Sequence, residues 1–217
     1  MKYKAILFDF DYTLGDSTKP IVYSFTQALT KMGWAVPDQQ SIRRTVGHTL
    51  QDAYTMLTGD VQEEKRQEFY QCFRKHALPI MMEQTVLCPG TPEVLEWLRK
   101  KDITVGIVST KSNEQLNKIF TRFGLREHLA LIIGGENVTR AKPDPEGLNL
   151  ALSRLGMEKE QVLFCGDTII DAKTAQAAGV DFCAVLNGTT TAEEFENYPH
   201  VHISPQLEEF LAWAKQL

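Results

Sequence analysis

Two aspartates stand one residue apart in Asp9-Phe10-Asp11, directly after the apolar run of residues 5–8, and Thr13 follows. Like charges set so close at the end of a buried segment repel each other unless a cation lies between them. Mg²⁺ suits that role, because it takes hard oxygen ligands and keeps several waters; two or three aspartates with a backbone carbonyl would hold it beside a phosphate. One of the pair can do more, since a carboxylate that attacks phosphorus forms an aspartyl-phosphate. An anionic nucleophile meeting an anionic phosphoryl group needs cations around the equatorial oxygens, and Mg²⁺ with Lys142 would supply them. The second carboxylate, Asp11, can protonate the leaving oxygen and later take a proton from water.

Such groups act together only if separate elements bring them to one place. Short apolar runs recur at 5–8, 103–108, 129–133, 162–165 and 182–186, and each ends in a polar or glycine-containing turn. Helical patterns separate the later ones, at 92–100, 113–123, 145–155 and 170–178, with Gly124, Gly156 and Gly179 placed as stops. Strand and helix in alternation predict a parallel sheet. Residues 18–87 break the alternation and offer only helix-period stripes: Ile21, Phe25, Leu29 and Met32, then Leu50, Ala53, Tyr54 and Leu57, then Phe69, Phe73 and His76. The expectation is an α/β chain: a three-layer, Rossmann-like core from 1–15 and 88–217, with a helical cap domain of 16–87 inserted after the first strand.

Ligands of open parallel sheets bind outside the carboxyl ends of the strands. The residues that follow the runs are Asp9, Asp11 and Thr13; Ser109, Thr110 and Lys111; Arg140 and Lys142; and Gly166, Asp167, Thr168 and Asp171. Ser109 and Thr110 precede a helix start, where hydroxyls and free N–H groups favour a phosphate; Thr110 reads equally as a plain cap. Asp144-Pro145 reads as an N-cap with proline at the first helical position, which would fix the loop bearing Lys142. Asp167 and Asp171, four apart, would share a helix face and both approach the metal.

The chain has 217 residues, 43% of them hydrophobic, and a formal net charge of -5. That suffices for a buried core and leaves no basic field for nucleic acid. Cys72, Cys88, Cys165 and Cys183 show no C-x-x-C spacing and read as reduced thiols. The apolar stretch before Asp9 is too short for a signal peptide and no run reaches a membrane span, so a cytoplasmic protein, monomer or homodimer, is expected. His200 and His202 have no carboxylate or cysteine nearby in sequence and read as a solvated loop rather than a metal site.

Four ordered motifs, Asp9-Phe10-Asp11-Tyr12-Thr13, Ser109, Lys142-Pro143 and Gly166-Asp167-Thr168-Ile169-Ile170-Asp171, resemble the pattern of the haloacid dehalogenase superfamily over nearly the whole chain. The resemblance points to its phosphoglycolate phosphatase, pyrophosphatase and β-phosphoglucomutase groups, which share a helical cap after the first motif. It implies Asp9 as nucleophile, Asp11 as acid/base and backbone metal ligand, Ser109 and Lys142 on the phosphate, Asp167 on Mg²⁺, and Asp171 acting through a metal-bound water. Substrate contacts are expected from Thr13 and Thr110, and from Arg44 and His48 in the cap stretch of 43–52, which also carries Arg43 and is equally a solvated turn.

Two positions depart from the pattern. Tyr12 stands where glycine is usual, and is expected to narrow the mouth of the site, and Gly15 stands where a bulky apolar residue is usual. Since dehalogenases of this superfamily lack the second aspartate, Asp11 points away from that chemistry. What the resemblance implies is a Mg²⁺-dependent phosphatase acting on a small phosphorylated metabolite such as phosphoglycolate. A β-phosphoglucomutase-like phosphotransferase, an inorganic pyrophosphatase suggested by the run 142–146, and a non-catalytic binding module are the alternatives.

Overall fold

The computed structural model describes residues 2–217. In chain order, β1 (Ala5–Phe8) leads through a tight turn to β2 (Gly15–Asp16). Five helices follow: α1 (Thr18–Lys31), α2 (Gln39–Arg43), α3 (Leu50–Thr58), α4 (Glu63–Ala77) and α5 (Met81–Gln84). The chain then runs through β3 (Val86–Leu87), α6 (Thr91–Lys100), β4 (Thr104–Val108), α7 (Asn113–Arg122), β5 (Leu131–Ile133), α8 (Glu146–Leu155) and β6 (Val162–Gly166). It ends with α9 (Ile169–Ala178), β7 (Asp181–Val185), α10 (Ala192–Phe195), β8 (His202–Ser204) and α11 (Leu207–Ala214).

Two compact units result: residues 1–15 with 87–217, and residues 16–86. The first is built on a parallel sheet of six strands in the order β5-β4-β1-β6-β7-β8. Its central strands are buried along their whole length, which explains why they read as continuous apolar runs rather than as alternating ones. From β1 the chain builds outward through β4 and β5, then crosses back to lay β6 on the other side of β1. The direction of winding therefore reverses between β4 and β6, with β1 at the reversal, where doubly wound sheets leave a crevice.

The second unit packs the predicted stripes into a core of its own. Ile21, Phe25 and Leu29 of α1 meet Ala53 and Tyr54 of α3 and Phe69 and Phe73 of α4. The Phe25 ring centre lies 5.2 Å from that of Phe69, tilted, and 5.1 Å from that of Phe73, edge-on, both within the separations at which aromatic pairs attract.

Three local expectations are corrected. His202 does not lie in a solvated loop: it opens the edge strand β8, and its ring stacks on Trp213 at 4.5 Å. Three residues are too few for a readable period. Pro145 occupies the N-cap of α8 rather than its first helical position, and Asp144 Oδ1 accepts a hydrogen bond from Glu146 N at 2.9 Å, so the predicted cap lies one residue early. Asp167 is not on α9, which begins two residues later, so Asp167 and Asp171 do not share a helix face.

Tyr12 adopts a φ of 60°, the left-handed region that costs an L side chain roughly 1–2 kcal/mol. Glycine at this place in the pattern thus has a backbone reason. At Gly15 a Cβ would strike the Phe10 ring, whose centroid lies 5.5 Å from that of Phe120. Phe10 takes up the space that a bulky residue at position 15 would fill.

Candidate active site

Asp9 continues β1 and donates its N–H to Cys165 O of β6 at 2.9 Å, which sets it beside the strand that delivers Asp167. Carboxylate oxygens of Asp9, Asp167 and Asp171 lie within 4.8 Å of one another, and all three residues are buried. Lys142 Nζ bridges two of them, 3.0 Å from Asp9 Oδ2 and 2.5 Å from Asp171 Oδ1. Asp171 Oδ2 accepts from Thr168 N at 3.1 Å and from Thr168 Oγ1 at 2.6 Å, the reciprocal cap at the start of α9. Asp171 packs so closely on Gly166 that a Cβ there would meet its carboxyl group.

Two oxygens of this cluster have no hydrogen-bond partner: Asp9 Oδ1 and Asp167 Oδ2. Buried carboxylate oxygens are normally satisfied, and leaving one bare is costly. Three carboxylates against one ammonium also leave an excess of negative charge. Burial, then the charges of Asp171 and Asp9, push the Asp167 carboxyl well above its ordinary range. Asp171 is also raised by burial, although the Lys142 charge opposes the shift. Burial works against the Lys142 ammonium, but the charges of Asp171 and Asp9 outweigh it and hold its pKa above the usual lysine value. Hard oxygens, excess negative charge and two bare acceptors fit a divalent cation.

The structure brings together Asp9, Lys142, Asp167 and Asp171. Ser109 directly follows β4 and is buried, its Oγ accepting from Lys111 N at 3.3 Å, and Thr110 beside it is half-buried. Thr13, expected on the substrate, is fully buried and gives its hydroxyl to Asp167 Oδ1 at 3.0 Å, so it orients a carboxylate instead. Arg44 and His48 belong to the other compact unit, between α2 and α3. Asp11 is only partly buried and is paired by Lys111 rather than joined to the acidic cluster.

Lys111, named from sequence only as a member of the strand-end turn that holds Ser109, is one residue whose pairing with Asp11 sequence reasoning did not assign. Gly188 it passed over altogether. A Cβ there would fall on the bare Asp167 Oδ2, and the neighbouring Asn187 Nδ2 reaches Thr13 O at 3.4 Å. The turn after β7 therefore forms a wall of the acidic cluster that only glycine can make. Gly188→Ala is expected to weaken divalent-ion binding at least about tenfold by crowding that oxygen; the Mg²⁺-induced rise in melting temperature measures it, and an unchanged rise would refute the role.

Glu146 holds the approach to Lys142. Its carboxylate accepts from Thr139 N at 2.9 Å, Thr139 Oγ1 at 2.8 Å and Arg140 N at 3.0 Å. The hydrogen bonds from Thr139 lead the causes that draw its pKa down to about 2. The bond between Lys142 and Pro143 is cis. Glu146→Ala is expected to free the 139–142 loop and lower kcat about tenfold while Mg²⁺ binding stays as it was. A steady-state assay beside a Mg²⁺ titration checks this, and equal losses in both would point to collapse of the whole site.

An open parallel sheet with acidic groups and a lysine gathered outside its carboxyl ends defines an α/β protein with a buried acidic cluster that could hold a cation. The family model for haloacid dehalogenase-like hydrolase matches residues 6–185, and the chain belongs to that family. It is a phosphatase of that family. It is 34% identical over 200 residues to N-acetylmuramic acid 6-phosphate phosphatase of Pseudomonas aeruginosa, covering 89% of this chain and 86% of that protein. Phosphoglycolate phosphatase of Aquifex aeolicus is 31% identical over 185 residues, 85% of each chain. A crystal structure named as a haloacid dehalogenase-like hydrolase, from Bacteroides fragilis, matches with a TM-score of 0.94 at 42% identity, covering 96% of this chain and 100% of that one.

No helix among the described residues is long and apolar enough to cross a membrane.

Proposed function

We propose that the chain is a Mg²⁺-dependent phosphatase that hydrolyses a small phosphorylated metabolite, of the phosphoglycolate kind, through an aspartyl-phosphate on Asp9. The observation that carries this reading is Asp9 Oδ1, a buried carboxylate oxygen with no partner, beside a lysine that neutralises the other oxygen of the same group. A nucleophile must keep one lone pair uncommitted.

Asp9 and Asp167, with Asp171 behind them, would hold Mg²⁺, which when bound would neutralise charge on the phosphoryl oxygens and draw them towards the nucleophile. Lys142 adds a second positive charge, and Ser109 with the amide groups of its turn would accept the phosphate. Asp9 Oδ1 forms the bond to phosphorus while the bond to the leaving oxygen breaks, and Asp11 gives that oxygen a proton. Water then attacks the phosphoryl group, its proton goes to Asp11, and inorganic phosphate departs with Asp9 restored.

Release of inorganic phosphate from phosphoglycolate, N-acetylmuramic acid 6-phosphate, hexose phosphates, nucleotides and pyrophosphate, with and without Mg²⁺, tests the reading. Steady release from a monoester that stops on chelation is expected. Isomerised hexose phosphate with negligible phosphate release would replace it with a phosphotransferase, and release from pyrophosphate alone would replace it with a pyrophosphatase.

A further inference from the structure

We propose that Glu136 is a positioning residue that fixes the turn accepting the substrate phosphate. The proposal rests on the phosphatase reading above and deepens it by assigning what holds that turn in place. Strands β4 and β5 pair as far as Val108 and Ile133, and the contacts between them run on beyond both ends. Ser109 N donates to Ile133 O at 3.0 Å, and Gly135 N donates to Lys111 O at 3.1 Å. Asn113 N then donates to both carboxylate oxygens of Glu136, each at 2.9 Å. These bonds fall on every second residue of the turn, so its course is set from the neighbouring strand end. The N–H groups of Thr110 and Ser112 lie outside them and are not consumed by them.

Glu136 makes a connection that α7 does not supply for itself. The first N–H groups of a helix have no partner within it, and a cap side chain commonly serves one of them. Here the Ser112 hydroxyl accepts from Gln115 N at 3.3 Å, and Asn113 N is left to a carboxylate 23 positions away. The negative charge of the acceptor strengthens that bond, and its place at a helix N-terminus favours it further. The rest of the 134–137 turn is shaped around the same contact. Asn137 Oδ1 accepts from Gly134 N at 2.8 Å and from Asn113 Nδ2 at 3.2 Å, and Asn113 Nδ2 also reaches Ile132 O at 2.7 Å. A Cβ at Gly134 would fall on Asn113 N, and one at Gly135 would fall 2.6 Å from Thr110 O, so the two turns touch backbone to backbone. A small cavity lined by Ser109, Thr110, Gly134, Gly135 and Lys142 joins them to the site. Asp9, Asp167 and Asp171 come from the ends of β1 and β6 and from α9, so loosening this contact should disturb the phosphate and spare the cation.

Inorganic phosphate is the probe, titrated at saturating Mg²⁺ and followed by phosphorus NMR, beside steady-state kinetics with the ester that wild type hydrolyses fastest. Glu136→Ala and Glu136→Gln both remove the negative charge, but only the first removes the acceptor for Asn113 N. Glu136→Ala is expected to weaken phosphate binding about tenfold and raise KM to match, with kcat within about threefold, because the turn holds the phosphate alike in the ground and transition states. Glu136→Gln should keep most of the wild-type affinity. The Mg²⁺-induced rise in melting temperature should stay as in wild type for both, which also shows that they fold; if Glu136→Ala does not, Glu136→Ser gives the same reading. Unchanged phosphate binding in Glu136→Ala, binding by Glu136→Gln as weak as that of Glu136→Ala, or a Mg²⁺ response lost in step would overturn the proposal. So would wild-type protein that binds no phosphate. Wild-type protein that releases phosphate from no ester, while its phosphate binding still depends on Glu136, would reject the phosphatase reading and keep this assignment.

Discussion

Asp9→Asn is expected to lower kcat on the order of 10⁴-fold or more, with little change in stability. The substitution keeps the shape of the side chain and an oxygen for Lys142 Nζ, now 3.0 Å from Asp9 Oδ2. What it removes is the negative charge and lone pair of Oδ1, the atom that no hydrogen bond occupies. Neither Asp167 nor Asp171 can stand in. Asp167 Oδ1 is taken by Thr13 and its bare Oδ2 would be taken by the cation, and Asp171 is bound on both oxygens by Lys142 and Thr168. Acid-quenched wild-type enzyme should carry a phosphoryl group on the peptide that contains Asp9, and the variant should not. Turnover of Asp9→Asn within tenfold of wild type would end the covalent mechanism on Asp9.

Much of this centre was legible in the linear chain, for reasons specific to parallel sheets. Strands β1, β4, β5, β6 and β7 are buried on both faces and appear as uninterrupted apolar runs, so their ends, and the polar residues just beyond them, can be located without coordinates. Asp9, Ser109, Lys142 and Asp167 all follow such runs or the loop after one. Glycine stops did the same for helices: Gly156 and Gly179 take left-handed conformations at the ends of α8 and α9.

Residues whose part depends on a distant neighbour were not legible. Lys111 and Lys142 look alike in sequence; what separates them is that one faces Asp11, a hundred positions away, and the other faces Asp9 and Asp171. Thr13 carries a hydroxyl that suits a phosphate as well as a carboxylate, and only the approach of Asp167 decides between them. Gly188 offers no side chain to notice, yet its missing Cβ is what leaves Asp167 Oδ2 room. The edge strand β8, with three residues and one face against α11, lacks the length that a period needs.

Asp167→Asn is expected to abolish Mg²⁺ binding and activity together while making the metal-free protein more stable, a combination that separates a cation site from a structural ion pair. The new amide keeps an oxygen for Thr13 Oγ1 and removes one of three mutually repelling carboxylates. In wild type, burial and the charges of Asp171 and Asp9 raise the Asp167 pKa in the fold. The folded chain then binds more protons than the unfolded one between the ordinary carboxylate value and that raised value. Stability in chelator should accordingly fall as pH rises through this interval, and be greatest on its acid side. The variant lacks the titrating group, so its melting temperature should be flatter over the same interval and a few degrees higher at its upper end. Saturating Mg²⁺, at about a hundred times its dissociation constant, should stabilise wild type by about 2.7 kcal/mol and leave Asp167→Asn unmoved. A variant that melts lower than wild type in chelator, or that still responds fully to Mg²⁺, would show that Asp167 serves packing rather than a metal.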